Sequence, residues 1–243
     1  MGRGRLGLHA LALSFFFSPA FHGSVLHAAQ AQQSPTILSK HVASFSGRGL
    51  CLVDALLRLG GQEGVPLGVE YVSREALAKP ITEDFHNTTV KGILERLLAG
   101  DKGYTWRVQE GVLVVSHKSV ASGEANLLNR VLPTFVIRRC SIAEASNVLY
   151  MSLNSQLHPE VRGYAGDYNP GDMQNLVGPL ELRNAMVRQV LNRLVSGANK
   201  KAAWVVRVQP GSLDRLPPGG LWTIIEYENP PRQYAQELRR EIF

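Results

Sequence analysis

The chain contains 243 residues, of which 44% are hydrophobic and 19% are charged, and its formal net charge is +6. This composition is typical of a folded globular protein, and it argues against wholesale disorder and against a polytopic membrane protein. The two cysteines are too few for a disulfide-dense scaffold or a four-thiolate zinc site.

Residues 1–31 have the pattern of a secretory signal peptide. Arg3 and Arg5 precede an apolar stretch, and Ala29-Gln30-Ala31 supplies the small-x-small motif that signal peptidase accepts. An uncleaved anchor is the alternative, but the apolar stretch is short and interrupted for a membrane span. We therefore expect a protein that is exported to the periplasm or secreted, and that is not an integral membrane protein after cleavage.

The positive charge does not indicate a nucleic-acid partner. Removal of residues 1–31 takes away two arginines and no acidic residue, so the formal net charge falls to about +4. The remaining charges are scattered, and those of the predicted helix that contains Arg188, Gln189, Asn192 and Arg193 are interpreted as a solvated face. We expect no binding to nucleic acid.

The rest of the chain contains one structural unit twice. Residues 85–100 and 182–197 carry the same apolar stripe at helical spacing, 97 residues apart. Asn87 and Asn184 occupy matching positions before the stripe and are predicted N-caps. The match predicts a tandem repeat.

Each copy also contains an earlier helix and a later hairpin. The first helices are predicted over 50–59 and from Ser141 to Leu153, the latter opened by a capping-box pattern. The hairpins are rich in β-branched and aromatic residues. We predict an α+β fold of two small tandem modules, each a short mixed sheet with two helices packed on one face. The predicted boundaries are 32–118 for the first module, 119–129 for a linker, 130–229 for the second module with an insertion at 154–179, and 230–243 for a tail.

Five segments of the first copy carry a family resemblance: Leu50–Leu57, Gly64–Val72, Ile81–Phe85, Thr89–Leu98 and Tyr104–Val115. In their order and spacing, residues 46–117 resemble the secretin and TonB short N-terminal (STN) domain, and residues 130–228 resemble a divergent second copy. The resemblance implies a periplasmic protein-binding module of cell-envelope secretion or transport, with an outer-membrane or periplasmic protein as partner. It implies no catalytic residue and is compatible with homo-oligomers. We expect no enzymatic activity, cofactor or metal.

Strand edges are the expected site of partner binding. Small sheets leave edges that accept a partner strand through main-chain hydrogen bonds. We predict such edges on the outer hairpin strands, at Val112, Val114 and Ser116 in the first copy and at Thr223 and Ile225 in the second.

A small secreted ligand-binding or hydrolytic protein is the alternative. Asp84 and His86 would share one face of a strand, and the loop 157–175 could complete a site with them. The second copy has Glu181 and Arg183 at the corresponding positions, which argues against an active site common to both copies.

The insertion contains candidate contact residues. The segment from Asp167 to Asp172 is rich in oxygen ligands but departs from the calcium-loop pattern, so an Asn-Pro-Gly turn and an irregular cation site both stay open. Tyr164 and Tyr168 could provide contact area with Asp167 and Asp172.

Cys51 and Cys140 each precede the first helix of a copy. In an oxidising compartment they could form a disulfide between the copies. The other interpretation is that each is a buried thiol that packs as a small apolar side chain.

Overall fold

The structure is a computed structural model that describes residues 37–157, 175–206 and 221–227. The predicted signal peptide, the predicted tail and the four contact candidates of the insertion lie outside the described residues. The described residues form an α+β fold, as the sequence predicts.

In chain order, the first copy contains β1 (His41–Ser46), α1 (Leu52–Glu63), β2 (Leu67–Val69), α2 (Arg74–Ala78), β3 (Asp84–Thr89), α3 (Val90–Ala99), β4 (Tyr104–Gln109) and β5 (Val112–His117). Short 3₁₀ turns at Gly123–Ala125 and Leu127–Asn129 connect the copies. The second copy contains β6 (Val131–Ile137), β7 (Cys140–Ser141), α4 (Ile142–Leu157), β8 (Leu176–Val177), β9 (Leu180–Met186), α5 (Val187–Gly197), β10 (Ala202–Val206) and β11 (Trp222–Glu226).

The two copies share one central sheet. Its five strands run in the order β11-β10-β2-β5-β4, so the second copy supplies two strands and the first supplies three. The three inner strands are parallel, and each outer strand is antiparallel to its neighbour. We expected a separate sheet in each copy. The structure differs because β2 pairs with β5 of its own copy on one side and with β10 of the second copy on the other.

The helices of the two copies cover opposite faces of this sheet. Side chains alternate along each strand, so Leu113 and Val205 pack with the helices of the first copy, whereas Val114 and Trp204 pack with those of the second. The result is a three-layer arrangement in which each copy covers one face of the shared sheet.

Each copy contains a two-stranded ribbon with the same register of pairing. In the first ribbon, β1 pairs with β3 and His41 lies opposite Thr89; in the second, β6 pairs with β9 and Val131 lies opposite Met186. Residues of β6 therefore lie 90 positions after their counterparts in β1, and residues of β9 lie 97 positions after those in β3. The partners continue to match along both ribbons.

Asn87 and Asn184 have the same unusual backbone. Their φ angles are 47° and 49°, in the left-handed region that asparagine tolerates better than most residues. The prediction that they are N-caps is wrong, since the cap of α3 is Thr89, whose hydroxyl accepts a hydrogen bond from the Gly92 amide at 3.2 Å. The two asparagines instead lie at matching irregularities within β3 and β9.

Trp204 fills the space above the one glycine of β2. The indole is fully buried, lies opposite Gly68 in the β2–β10 pairing and donates from Nε1 to the Asn192 side chain at 3.0 Å. A Cβ atom on Gly68 would clash with the indole ring. The junction between the copies therefore requires a glycine at position 68.

Gly68→Ala should lower the free energy of unfolding by about 1–3 kcal/mol, because overpacking forces the indole or a backbone out of place. Urea denaturation followed by tryptophan fluorescence measures this change. Gly197→Ala is the control: a Cβ there would lie 3.8 Å from Val177, an ordinary contact, so its stability should equal or exceed that of the wild type. Equal stability of both variants would contradict the packing described for Trp204.

Candidate functional site

The predicted edge in the first copy is not an edge. β5 pairs with β2 on one side and with β4 on the other, so Val112, Val114 and Ser116 lie in the interior of the sheet. The two valines are buried, and the Ser116 hydroxyl donates to the carboxylate of Glu70. The prediction failed because the parallel pairing with β2 places the first strand of the hairpin, β4, on the outside.

The predicted edge in the second copy is an outer strand of the sheet among the described residues. Thr223 and Ile225 belong to β11, and both are half-buried. The Tyr227 amide donates to the Lys201 carbonyl at 3.4 Å, which sets the alternation of the ladder. By that alternation the amides of Thr223 and Ile225 face β10, whereas the amide of Ile224 faces away from it. The backbone amide that points away from the sheet is therefore that of Ile224, between the predicted edge residues Thr223 and Ile225.

A buried ionic cluster lies where the copies meet. Glu70, which follows β2, is only 3% exposed, and its carboxylate accepts hydrogen bonds from four side chains. Asn126 donates at 3.0 Å and Arg107 at 3.3 Å, while Arg188 and Ser116 make still shorter contacts. We call these five residues the Glu70 cluster.

The Glu70 cluster connects three parts of the chain. Its carboxylate and Arg107 belong to the first copy, Asn126 to the connecting turns and Arg188 to α5 of the second copy. Arg188 also donates from Nη1 to Asn129 at 2.5 Å, whereas its Nε has no partner among the described groups. Helix α5 is therefore held over β2 and against the connection by one guanidinium.

The electrostatics of the cluster favour the ionised acid. Burial would raise the pKa of the Glu70 carboxyl, but the facing Arg188, the Ser116 hydroxyl and Arg107 hold that pKa below its ordinary value of 4.5. A single carboxylate thus neutralises the buried Arg188 and part of the charge of Arg107, whose side chain is 43% exposed.

A second contact between the copies involves Asn192. It accepts from Trp204 and donates to Glu110 at 3.3 Å, in the turn between β4 and β5. Burial raises the pKa of Glu110. The interpretation of Arg188 and Asn192 as part of a solvated face is wrong, since both are buried. The sequence contained one signal of the Glu70 cluster: Glu70 is the only acidic residue in the otherwise apolar stretch 65–72.

Asp84 is held by neighbouring residues of the first ribbon and of the segment after β1. Asp84 accepts a hydrogen bond from Ser46 at 2.7 Å and forms an ion pair with Arg48 at 3.0 Å, and these two contacts lower its pKa. His86 is exposed further along β3. The loop expected to complete this site falls outside the described residues except at its two ends. Asp84 therefore has a defined role in joining β3 to β1.

Cys51 and Cys140 are both free thiols, so the disulfide considered above is not formed. Cys51 packs in the core on the side of the first copy's helices, whereas Cys140 packs against the cluster on the opposite face. Burial raises the pKa of the Cys51 thiol to about 12, so the reactive thiolate is disfavoured. The shared sheet separates the two sulfur atoms.

A groove of about 580 Å³ lies between α2 and α3. Arg96 and Glu83 form an ion pair across it at 2.7 Å, and the Arg96 guanidinium stacks 4.7 Å from the centre of the Phe85 ring. None of the site residues predicted from the sequence lines this groove.

In the part of the chain that the structure describes, no group of three or more histidine, cysteine or acidic side chains is placed to hold a metal ion. Nor does any helix in these ranges combine the length and the apolar character needed to cross a bilayer.

Comparison of the chain with protein-family models, curated proteins and solved structures finds no match.

Glu70→Gln should lower the free energy of unfolding by about 3–5 kcal/mol at neutral pH, because it leaves the buried Arg188 guanidinium without its counter-ion. Urea denaturation measures the change. Glu95→Gln is the matched control, since Glu95 forms an exposed ion pair with Lys91 at 3.7 Å. That control should change stability by less than about 1 kcal/mol.

The effect of Glu70→Gln should also depend on pH. The pKa of Glu70 is lower in the folded chain than in the unfolded one, so its contribution is complete above about pH 4.5 and is lost as the pH falls through the folded value. The difference between wild type and variant should therefore shrink below about pH 4.5. A difference that stays constant down to about pH 3 would contradict an ionised Glu70.

Proposed function

We propose that this chain is an exported, non-catalytic module of the secretin and TonB-receptor N-terminal type, which binds another protein of the cell envelope. The observation that carries the proposal is the repeated unit. Both copies build the same ribbon in the same register, with a left-handed asparagine at the same place in each. The resemblance of residues 46–117 implies a protein-binding module, and the recurrence of the ribbon supports a tandem arrangement of two such modules.

Strand addition is the mode of binding that we propose. An outer strand presents unpaired amides and carbonyls, and an extended partner segment can satisfy them. β11 is suited to this role because it is short and lies at the border of the sheet, with the Ile224 amide directed away from β10. An outer-membrane or periplasmic protein would supply the added strand.

Export and complex formation can be tested together in cells. We expect the chain with a C-terminal tag to be recovered from the periplasmic fraction without residues 1–31, as intact mass spectrometry would show. Mild crosslinking before purification should then recover an envelope protein in stoichiometric amount. A tagged chain that stays in the cytoplasm with its first residues intact would overturn the proposal.

Ile224→Pro should weaken partner recovery by about tenfold or more, since proline removes the outward amide of β11 without removing a hydrogen bond to β10. Ile224→Ala is the matched control, because it shortens the same side chain and keeps the amide. Quantitative recovery of the crosslinked partner and thermal unfolding are measured for both variants. Equal recovery by the two, with similar melting temperatures, would exclude β11 as the binding edge.

A further inference from the structure

The second ribbon has an exposed apolar face. Val131 is 48% exposed, Val136 55% and Met186 39%. Val131 and Met186 lie directly opposite each other across the ribbon, and Val136 lies on the same strand as Val131. At about 3.3 Å per residue, Val131 and Val136 are separated by about 16 Å along β6. The alternation of buried and exposed side chains shifts by one at Pro133, opposite Asn184, so Val131 and Val136 are both on the exposed side of the ribbon. The three side chains therefore line an elongated surface.

The first ribbon shows that the fold does not need apolar residues there. The counterparts of Val131, Val136 and Met186 are His41, Ser46 and Thr89, which occupy the same register positions. All three are polar. The apolar face is thus a property of the second copy alone, and folding of the ribbon does not explain it.

The basic residues next to the two ribbons also differ between the copies in their ion pairs. In the first copy, Lys40 forms an ion pair with Glu63 at 3.4 Å, and Arg48 forms one with Asp84 at 3.0 Å. The basic residues next to the first ribbon are therefore neutralised within the copy.

In the second copy the corresponding bases lack these acids. Arg130 and Arg138 correspond to Lys40 and Arg48, and Arg139 adds another exposed cation. The counterpart of Glu63 is the buried Leu153. Glu181, the counterpart of Asp84, instead forms an ion pair with Arg183 at 2.9 Å. Within the described ranges, no carboxylate forms an ion pair with Arg130, Arg138 or Arg139.

We propose that the outer face of the β6–β9 ribbon binds an extended acidic segment of the envelope partner, with apolar side chains at alternate positions. The apolar row would contact one face of such a segment, and the exposed Arg130, Arg138 and Arg139 at its ends would attract the acidic side chains. A second copy of this chain is a poorer occupant, since pairing two ribbons would bring arginines towards arginines. The proposal rests on the proposed function, because it names the chemistry of the partner.

Three labelled peptides of equal length serve as probes: alternating Val-Glu, alternating Val-Lys and alternating Ser-Glu. Fluorescence anisotropy measures their binding to the full chain. The Val-Glu peptide should bind at least about tenfold more tightly than either other peptide, and added salt should weaken it. Equal binding of Val-Glu and Val-Lys would overturn the proposal.

The first copy provides the matched variant. Val131→His, Val136→Ser and Met186→Thr, combined, place the residues of the first ribbon on the second, so the fold has already accommodated them once. This variant should lose Val-Glu binding by about tenfold or more while keeping its melting temperature. Met151→Thr, which changes a 42% exposed methionine outside the ribbon, should leave binding within about twofold.

A second copy of the chain, or its own residues 228–243, would give different experimental results as the occupant of this face. If the wild type forms a dimer in analytical ultracentrifugation and the triple variant does not, a second copy occupies the face and the proposal fails. If deletion of residues 228–243 increases peptide affinity about tenfold, that segment is the occupant and the proposal also fails. Recovery of the crosslinked envelope partner by the triple variant at wild-type level would reject this surface but keep the proposed function. Failure of export would reject the function whatever the peptides do.

Discussion

The parallel pairing of β2 with β10 makes two repeated units into one folded body, and the Glu70 cluster makes that pairing specific. Gly68 and Trp204 define the contact of the two strands, while Glu70 and Arg188 define where α5 lies above them. A buried ion pair adds little net stability over a well-packed apolar pair of the same size. Such a pair does favour one arrangement of the helices over others, because a misplaced α5 would leave one charge buried without a counter-ion. We infer that the cluster selects the arrangement of the copies more than it stabilises it.

The two copies differ both in the polarity of their ribbon side chains and in the ion pairs of the neighbouring basic residues. The first keeps polar side chains on its ribbon and pairs its bases with its own acids. The second has apolar side chains at the same places, its arginines there form no ion pair with a described acid, and it also supplies the inner strand β10. A repeat allows such a comparison within one chain, since each copy shows what the shared backbone requires. Differences between equivalent positions then point to what each copy does beyond folding.

Much of the fold could be predicted from the sequence, because helical stripes and hairpins are local patterns. The shared sheet could not, although its signal was present. Val112–Val115 is a continuous apolar run, which is typical of a strand buried on both faces rather than of an edge. Leu67–Val69 has the same character. The asparagine error has a different cause: the short polar side chain that suits an N-cap also suits a left-handed backbone, and the sequence does not distinguish the two. Arg188 was missed because its partner lies 118 residues away.

The position of β2 has a consequence for how the chain reaches its final state. Gly68 and Trp204 are 136 residues apart, so β2 lacks one neighbour until residues 202–206 have been made. Contacts between residues so far apart in sequence form slowly in general. Until this contact forms, β2 exposes unpaired backbone amides and carbonyls between apolar side chains. The period before closure is therefore when this chain is most exposed to aggregation, and a chaperone that covers an apolar strand would act then. Once β10 pairs with β2, the same groups are hydrogen-bonded on both sides of the strand.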